Sequence, residues 1–192
     1  MGREFELKYR ADDGVISQIR EKFGEFIPIS METTYYDTPA GDFSRWHWTL
    51  RRRYENGISV CTLKTPAAGG GRGEWEVHAS SIEAAVPRLI GDSGLAELEQ
   101  LISGGLTVSC GARFTRLTKT LTIPGGTVEL ALDRGVLLGG GREVPLCEVE
   151  MELKSGSDED LRFYARHMAE RFQLYPETRS KFQRAKALSE EG

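Results

Sequence analysis

The sequence predicts an α+β protein, an eight-stranded antiparallel β-barrel with a polar lumen and helices packed on its outside. Three observations lead there. The β-type stretches alternate, ionisable side chains on one face and apolar ones on the other. They follow one another mostly in hairpin order, and helix-like stretches fall between them. A small barrel ordinarily fills its interior with apolar side chains. Here the cheapest arrangement is the reverse, with the charged faces around a wet lumen and the apolar faces under helices. An open sheet with one wet face and helices on the other is the competing architecture.

Taken in order, Arg3–Arg10 is a strand with Glu4, Glu6 and Lys8 on one face and Phe5, Leu7 and Tyr9 on the other. Asp12-Asp13-Gly14 opens a short helix that ends near Gly24, with Val15, Ile16, Ile19 and Phe23 as its apolar side. Thr33–Thr38 is a strand of β-formers closed by Pro39-Ala40-Gly41-Asp42. Trp46–Arg53 is the next strand, carrying Thr49, Arg51 and Arg53 on one face. Asn56-Gly57 then turns the chain tightly into Ile58–Lys64, where Thr62 and Lys64 share a face.

Residues 66–73 read as a loop, and Arg72, Glu74 and Glu76 lie on one face of the strand that follows. Residues 80–103 read as two helices broken around Gly91-Asp92-Ser93-Gly94. Strands resume at Ala112–Ile123, at Val128–Asp133 after Pro124-Gly125-Gly126, and at Val144–Leu153 after Gly139-Gly140-Gly141. In the last of these Glu148, Glu150, Glu152 and Lys154 face one way and Val149, Met151 and Leu153 the other. Ser157 with Asp160 forms a capping box for a helix that buries Leu161, Tyr164, Met168 and Phe172. A short helix over 180–188 ends the pattern. No internal repeat or linker interrupts residues 1–192, which read as one domain.

Composition narrows the function. With 39% hydrophobic and 28% charged residues, the chain has the make-up of a soluble globular protein. A net charge of −4 gives no general attraction to nucleic acid or to an anionic membrane, and no apolar run approaches the ~18 residues of a membrane span. Three separated cysteines (Cys61, Cys110, Cys147) and the charged start Met1-Gly2-Arg3-Glu4 fit reduced thiols in a cytoplasmic protein without a secretory leader. Three scattered histidines make a histidine-based zinc site a poor fit. Any metal would be held by oxygen, which points to magnesium, manganese or calcium.

Two acidic strands in one domain need a positive charge between them, because adjacent carboxylates repel. The lumen-facing acids are Glu4, Glu6, Glu148, Glu150 and Glu152, with Glu74, Glu76 and Glu129 as further candidates; the bases are Lys8, Arg51, Arg53, Lys64, Arg72 and Arg116. Acids and bases together suit a metal-bound polyanion: carboxylates hold a divalent cation, and guanidinium groups take the remaining phosphate oxygens in pairs. Phosphoryl transfer needs this combination, since most of its catalysis is positioning and charge neutralisation. Several charges have duller readings. Arg10, Arg20 and Glu21 are surface charges, Arg52 and Arg113 have the wrong parity, and Asp37 is a turn residue. Trp46 and Trp48 are more simply covering core than a platform for a base.

Glu4-x-Glu6-x-Lys8 resembles the ExExK motif of the CYTH, or triphosphate tunnel metalloenzyme, superfamily. Tyr35-Tyr36-Asp37-Thr38 resembles its YYDT segment, Leu50-Arg51-Arg52-Arg53 its LRxR strand, Thr62-Leu63-Lys64 its lysine strand and Arg72-Gly73-Glu74 its RxE. Glu148-Val149-Glu150-Met151-Glu152 is similar to its ExExE strand, and Ser180-Lys181 to the SK of its C-terminal helix. The ordered set covers nearly the whole chain, and the segments around Glu129 and Glu148 are most similar to bacterial inorganic triphosphatases.

The resemblance implies a triphosphate-binding tunnel with one or two divalent cations, magnesium or manganese, and a small-molecule triphosphate as partner. It implies that Glu4, Glu6, Glu148, Glu150 and Glu152 serve the metal. Lys8, Arg51, Arg53, Lys64, Arg72, Arg116 and Lys181 hold phosphate oxygens, and catalysis rests on Lys8, Glu6 and Glu152. The implied reaction is hydrolysis of tripolyphosphate. Thiamine triphosphatase, class IV adenylate cyclase and a non-catalytic polyphosphate or nucleotide binder are the alternatives. Trp46-His47-Trp48-Thr49 and Thr118 depart from the family pattern and bear on substrate choice rather than fold.

Overall fold

The computed structural model describes residues 5–67 and 71–190, and of positions 67, 71 and 72 the backbone only. The elements in chain order are β1 (Glu6–Arg10), α1 (Asp13–Phe23), β2 (Ile27–Asp37), α2 (Asp42–Arg45), β3 (Thr49–Glu55), β4 (Ile58–Ala67), β5 (Gly71–His78), α3 (Ile82–Ser93) and α4 (Ala96–Ile102), then β6 (Thr107–Ile123), β7 (Gly126–Gly139), β8 (Arg142–Ser155), α5 (Asp158–Phe172), β9 (Tyr175–Pro176) and α6 (Lys181–Glu190).

The strands form one sheet in the order β5-β4-β3-β2-β6-β7-β8-β1-β9, and β1–β8, β1–β9, β2–β3, β3–β4 and β4–β5 are all antiparallel pairs. The α+β class stands, but the eight-stranded closed barrel does not: among the described residues the sheet has nine strands and two ends. The ninth strand explains one end. Tyr9 pairs with Pro176 and Arg10 with Tyr175, so β9 occupies the outer edge of β1. Proline has no N–H to offer a further strand, and the ladder stops there.

The chain folds as two compact units. Unit 1 takes the chain to Ile29, Phe114–Val136 and Val144–Ser180; unit 2 takes Ser30–Arg113, Leu137–Glu143 and the chain from Lys181.

In unit 1 the core is Ile16 and Ile19 of α1 and Leu161, Ala165, Met168 and Phe172 of α5, packed with Val128, Leu130 and Leu132 of β7 and Val149 and Met151 of β8. Local chemistry fixes the helices. The Asp12 carboxylate accepts from Val15 N at 2.8 Å and Gly24 ends α1 at φ 75°, while Ser157 and Asp160 form the complete capping box of α5. Each fully buried Leu- or Met-sized side chain stabilises by about 1.5–3 kcal/mol relative to exposure.

In unit 2 the core joins Phe43, Trp48, Leu50, Cys61, Leu63 and Val77 to Ile82, Ala85 and Leu89 of α3 and Leu98 of α4. Asn56 (φ 49°) and Gly57 (φ 84°) both take positive φ, as a type I′ hairpin between β3 and β4 demands. Trp48 is buried and stacked on Phe43 (6.2 Å, 13°), whereas Trp46 is 45% exposed and meets Trp48 edge-on.

The strands run longer than the sequence pattern suggests. β2 starts at Ile27 rather than Thr33, β6 at Thr107 rather than Ala112, and β7 continues through Asp133-Arg134-Gly135 to Gly139. Pro28 and Gly135 look like terminators locally, yet pairing with neighbouring strands carries the ladder past them.

Candidate functional site

Because Val149 and Met151 are fully buried against the helices of unit 1, the alternation of β8 turns Glu148, Glu150 and Glu152 to the other face. Opposite them on β1 the register is Glu6↔Glu152, Lys8↔Glu150 and Arg10↔Glu148. β7 obeys the same rule. With Val128, Leu130 and Leu132 in the core, Glu129 and Asp133 share the acidic face.

This face is buried where a charge is costly. Asp133 and Glu148 have no exposed surface and Glu150 is 8% exposed. Carboxylate oxygens of Asp133, Glu148 and Glu150 lie within 4.8 Å of one another, an all-oxygen donor set suited to a hard divalent cation. Arg116 enters from β6: its Nε donates to Asp133 Oδ1 at 2.8 Å, its Nη2 to Asp133 Oδ2 at 2.7 Å, and Nη2 also pairs with Glu150 Oε2. Burial works against the charged guanidinium, but the Asp133 hydrogen bond and the charges of Glu150 and Asp133 outweigh it and hold Arg116 above its ordinary pKa.

The flanking charges are more exposed. Lys8 Nζ lies 3.4 Å from Glu6 Oε1, and Lys154 Nζ lies 2.9 Å from Glu152 and 3.8 Å from Glu129. Glu6 and Glu152 are therefore register partners beside the buried set rather than members of its tight cluster. Glu4 lies outside the described residues.

Unit 2 carries the cationic face. Leu50 and Leu63 point into its core, so Arg51 and Arg53 of β3 and Thr62 and Lys64 of β4 face the other way. The ladder sets Tyr35, Arg51, Thr62 and Glu76 in one cross-strand row and Thr33 and Arg53 in the next. Lys64 pairs with Glu74 at 2.9 Å, Arg53 with Glu55 at 2.5 Å, and Thr62 Oγ1 donates to Glu76 at 3.1 Å. Arg51 Nε is buried without a hydrogen-bond partner. Lys181 opens α6, and the neighbouring Phe182 ring packs on Tyr35 at 5.0 Å. Burial pushes the Tyr35 phenol up, against the pull of Arg51 and Lys181. The side chain of Arg72 lies outside the described residues.

Of the charges given duller readings, Arg10 stands opposite Glu148 in the register of the acidic face but is exposed, and Arg20 and Glu21 are exposed on α1. Arg52 turns toward the helix side, where its Nη1 donates to Ser80 O at 3.4 Å, and Arg113 pairs with Glu143 at the surface. Asp37, expected as a turn residue, is instead the buried last residue of β2: its carboxylate accepts from Thr38 N (2.8 Å), Phe43 N (2.9 Å), Ser44 N (3.2 Å) and Ser44 Oγ (2.5 Å), tying the end of β2 to α2. A cavity of about 660 Å³ in unit 2 is lined by Glu32, Cys110, Leu138 and Arg142 among others, and none of the predicted site residues borders it. The charged faces, not this cavity, carry the predicted site residues.

Two residues were not singled out from sequence. Asp133 was readable by parity, since it stands four residues after Glu129 on a strand whose even positions are apolar. Tyr35 was readable as a β-former and as part of the YYDT-like segment, but its pairing with Arg51 was not, because Arg51 lies on another strand.

The model of the CYTH domain matches residues 2–185, as the ExExK and ExExE motifs lead one to expect. The chain is 28% identical over 195 residues to an inorganic triphosphatase of Haemophilus influenzae, covering 98% of this chain and 55% of that relative; the chain thus spans about half the length of the curated relative. Among solved structures, a Hippeastrum protein described as having a dominant triphosphatase activity superposes with a TM-score of 0.67 at 17% identity, covering 97% of this chain and 96% of that one. A Bacillus halodurans protein named as a candidate adenylate cyclase gives 0.65 at 19% identity, covering 95% and 96%. At these identities the structures attest the fold.

Proposed function

This chain belongs to the CYTH domain family, and from that premise we propose that it hydrolyses inorganic tripolyphosphate to pyrophosphate and phosphate in a metal-dependent reaction. The observation that carries this reading is the buried carboxylate set of Asp133, Glu148 and Glu150 on the sheet face turned away from the core. Buried carboxylates are expensive unless a cation compensates them. Glu6 and Glu152, register partners on β1 and β8, extend the acidic row beside that set.

The donor chemistry fits magnesium or manganese: every ligand on offer is a carboxylate oxygen. Glu148 and Glu150, with Glu6, Glu152 and Glu4, would hold the ion, and Asp133 joins them on geometry. Bound there, the ion supplies positive charge to the phosphate oxygens. The chain's own residues do the rest. Lys8, opposite Glu150, offers an ammonium to the phosphate being transferred. Arg51, Arg53, Lys64, Arg72, Arg116 and Lys181 bind the other oxygens, the arginines through paired donors. Glu6 and Glu152 keep the acidic strands poised for the ion and Lys8 in register. The reading takes residues 1–192 as one functional domain serving a small-molecule triphosphate in the cytoplasm. No helix among the described residues is long and apolar enough to cross a membrane.

The test is phosphate release from tripolyphosphate, ATP and thiamine triphosphate, each with magnesium, manganese or EDTA. Release fastest on tripolyphosphate and abolished by EDTA is expected. Glu150→Gln should lower kcat by at least about 100-fold, while Arg53→Ala should mainly raise KM. Equal turnover in EDTA, or a folded Glu150→Gln protein with unchanged kcat, would overturn the reading. A cyclic nucleotide formed from ATP would move it to a cyclase.

A further inference from the structure

Strand β5 is an end of the sheet: among the described residues it pairs with β4 alone, and both strands belong to unit 2. A strand held along one edge opens more easily than one held along two, and a glycine inside it brings no side chain to pack. Gly73 is such a residue, and it stands directly before Glu74, whose carboxylate lies 2.9 Å from Lys64 Nζ. The ladder sets Lys64 opposite Glu74 and Thr62 opposite Glu76 on one face. On the other face Leu63 stands opposite Trp75, and Thr65 opposite Gly73. There the gap at Gly73 is filled. A Cβ at Gly73 would lie 2.4 Å from Trp75 Cη2, 2.8 Å from Trp75 Cζ3 and 3.0 Å from Thr65 Oγ1. The outer ring of the indole thus occupies the room that a side chain would take. Trp75 also packs on the core of unit 2, where Leu63 has no exposed surface. An aromatic ring laid over a strand glycine supplies the contacts that the glycine lacks.

We propose that Trp75 is a positioning residue: its indole covers Gly73 and keeps the end strand against β4, so that Glu74 stays on Lys64 and the ammonium is presented to a phosphate oxygen. The role rests on the reading of Lys64 as a phosphate ligand in tripolyphosphate hydrolysis. Lys64 carries its charge on a flexible four-carbon stem, and the Glu74 carboxylate restrains it. Trp75 lies on the opposite face from that ion pair and acts through the backbone of residues 73–75.

The experiment compares the wild type with Trp75→Phe, Gly73→Ala, the double variant of these two, Glu74→Gln, and Trp75→Phe combined with Glu74→Gln. Thermal midpoints are recorded for each, with kcat/KM for tripolyphosphate at saturating magnesium or manganese. Phenylalanine keeps an apolar ring but lacks the outer ring that covers Gly73, and alanine at position 73 drives the indole off. Each change alone is expected to lower kcat/KM about tenfold and the midpoint by about 3–8 °C. With both, the alanine methyl takes the room that the outer ring leaves, and most of the loss in kcat/KM and in midpoint should be recovered. Glu74→Gln should also lower kcat/KM about tenfold. On that background Trp75→Phe should cost less than about twofold in kcat/KM while still lowering the midpoint. A tryptophan with a purely structural role would lower the midpoint without coupling to Glu74. An equal loss of kcat/KM on both backgrounds therefore overturns the proposal, as does unchanged kcat/KM in a folded Trp75→Phe protein. The cycle of Trp75→Phe with Glu74→Gln decides by itself if Gly73→Ala is too unstable to purify. The tripolyphosphate reading fails separately, when the wild type itself releases no phosphate with either metal.

Discussion

Asp37 shows how much a single side chain can carry away from the chemistry. It is 3% exposed, and its two oxygens receive three backbone N–H groups and one hydroxyl, most of them from the start of α2. Asp37→Ala leaves Phe43 N and Ser44 N without their acceptor inside the fold, so it should cost about 2–3 kcal/mol in urea unfolding. Asp37→Asn, which keeps one acceptor oxygen, should recover part of that loss. At this scale the sequence was readable where a residue acts on its own neighbours: Asp12, Asn56 and Ser157 cap or turn the chain within a few positions of themselves. It was less readable where function depends on a partner far along the chain. Arg116 and Asp133 are 17 positions apart and Arg116 and Glu150 are 34 apart, and parity alone ranks neither pairing.

At the scale of elements, α6 is the piece most dependent on what lies beneath it. A Cβ at Gly139 would stand 2.2 Å from Ala185 O, and one at Gly140 would stand 2.5 Å from Leu188 O. Gly140 also needs its positive φ of 57°. Arg142 reaches the same helix through Leu188 O, Lys186 Nζ donates to Ser109 Oγ at 3.3 Å, and Ser189 Oγ donates to Ser109 O at 3.3 Å. Gly139→Ala should therefore shift α6, costing roughly 1–3 kcal/mol. Because Lys181 is the first residue of α6, the same variant should raise KM for tripolyphosphate; an unchanged KM with lowered stability would separate the helix's seat from its role at the site. The triple glycine reads in sequence as a turn, and the close approach of a helix over it does not. The two-residue β9 was likewise invisible, because a Tyr-Pro pair has no period to detect and its strand character comes entirely from the edge of β1.

For the whole molecule, a buried and a half-buried thiol set an alkaline limit. Burial, against the Ser109 hydrogen bond and Lys186, pushes Cys110 from 9.0 up to about 11, and burial followed by the charge of Asp13 pushes Cys147 up to about 11. The folded state thus keeps protons that the unfolded chain gives up near pH 9. Stability from these groups is complete below that point and is lost as pH climbs from about 9 to about 11. Urea midpoints measured across that window should fall, and the Cys110→Ala, Cys147→Ala double variant should fall less steeply. At this scale the sequence conveyed the α+β class and the covered apolar faces, because alternation on each strand is local. It did not convey the strand count or the open ends of the sheet, which depend on what each edge meets.

The placement of the tryptophans gives the molecule an optical asymmetry. Trp46, Trp48 and Trp75 all belong to unit 2, and unit 1 has none. Trp48 is buried against Phe43 while Trp46 is nearly half in solvent. Indole emission therefore samples one half of the chain only, with a shielded and a wet fluorophore side by side. Circular dichroism, dominated by helices in both halves, samples the whole. If the two signals melt together the units share one cooperative transition, and if they separate, the emission dates the loss of the cationic half alone.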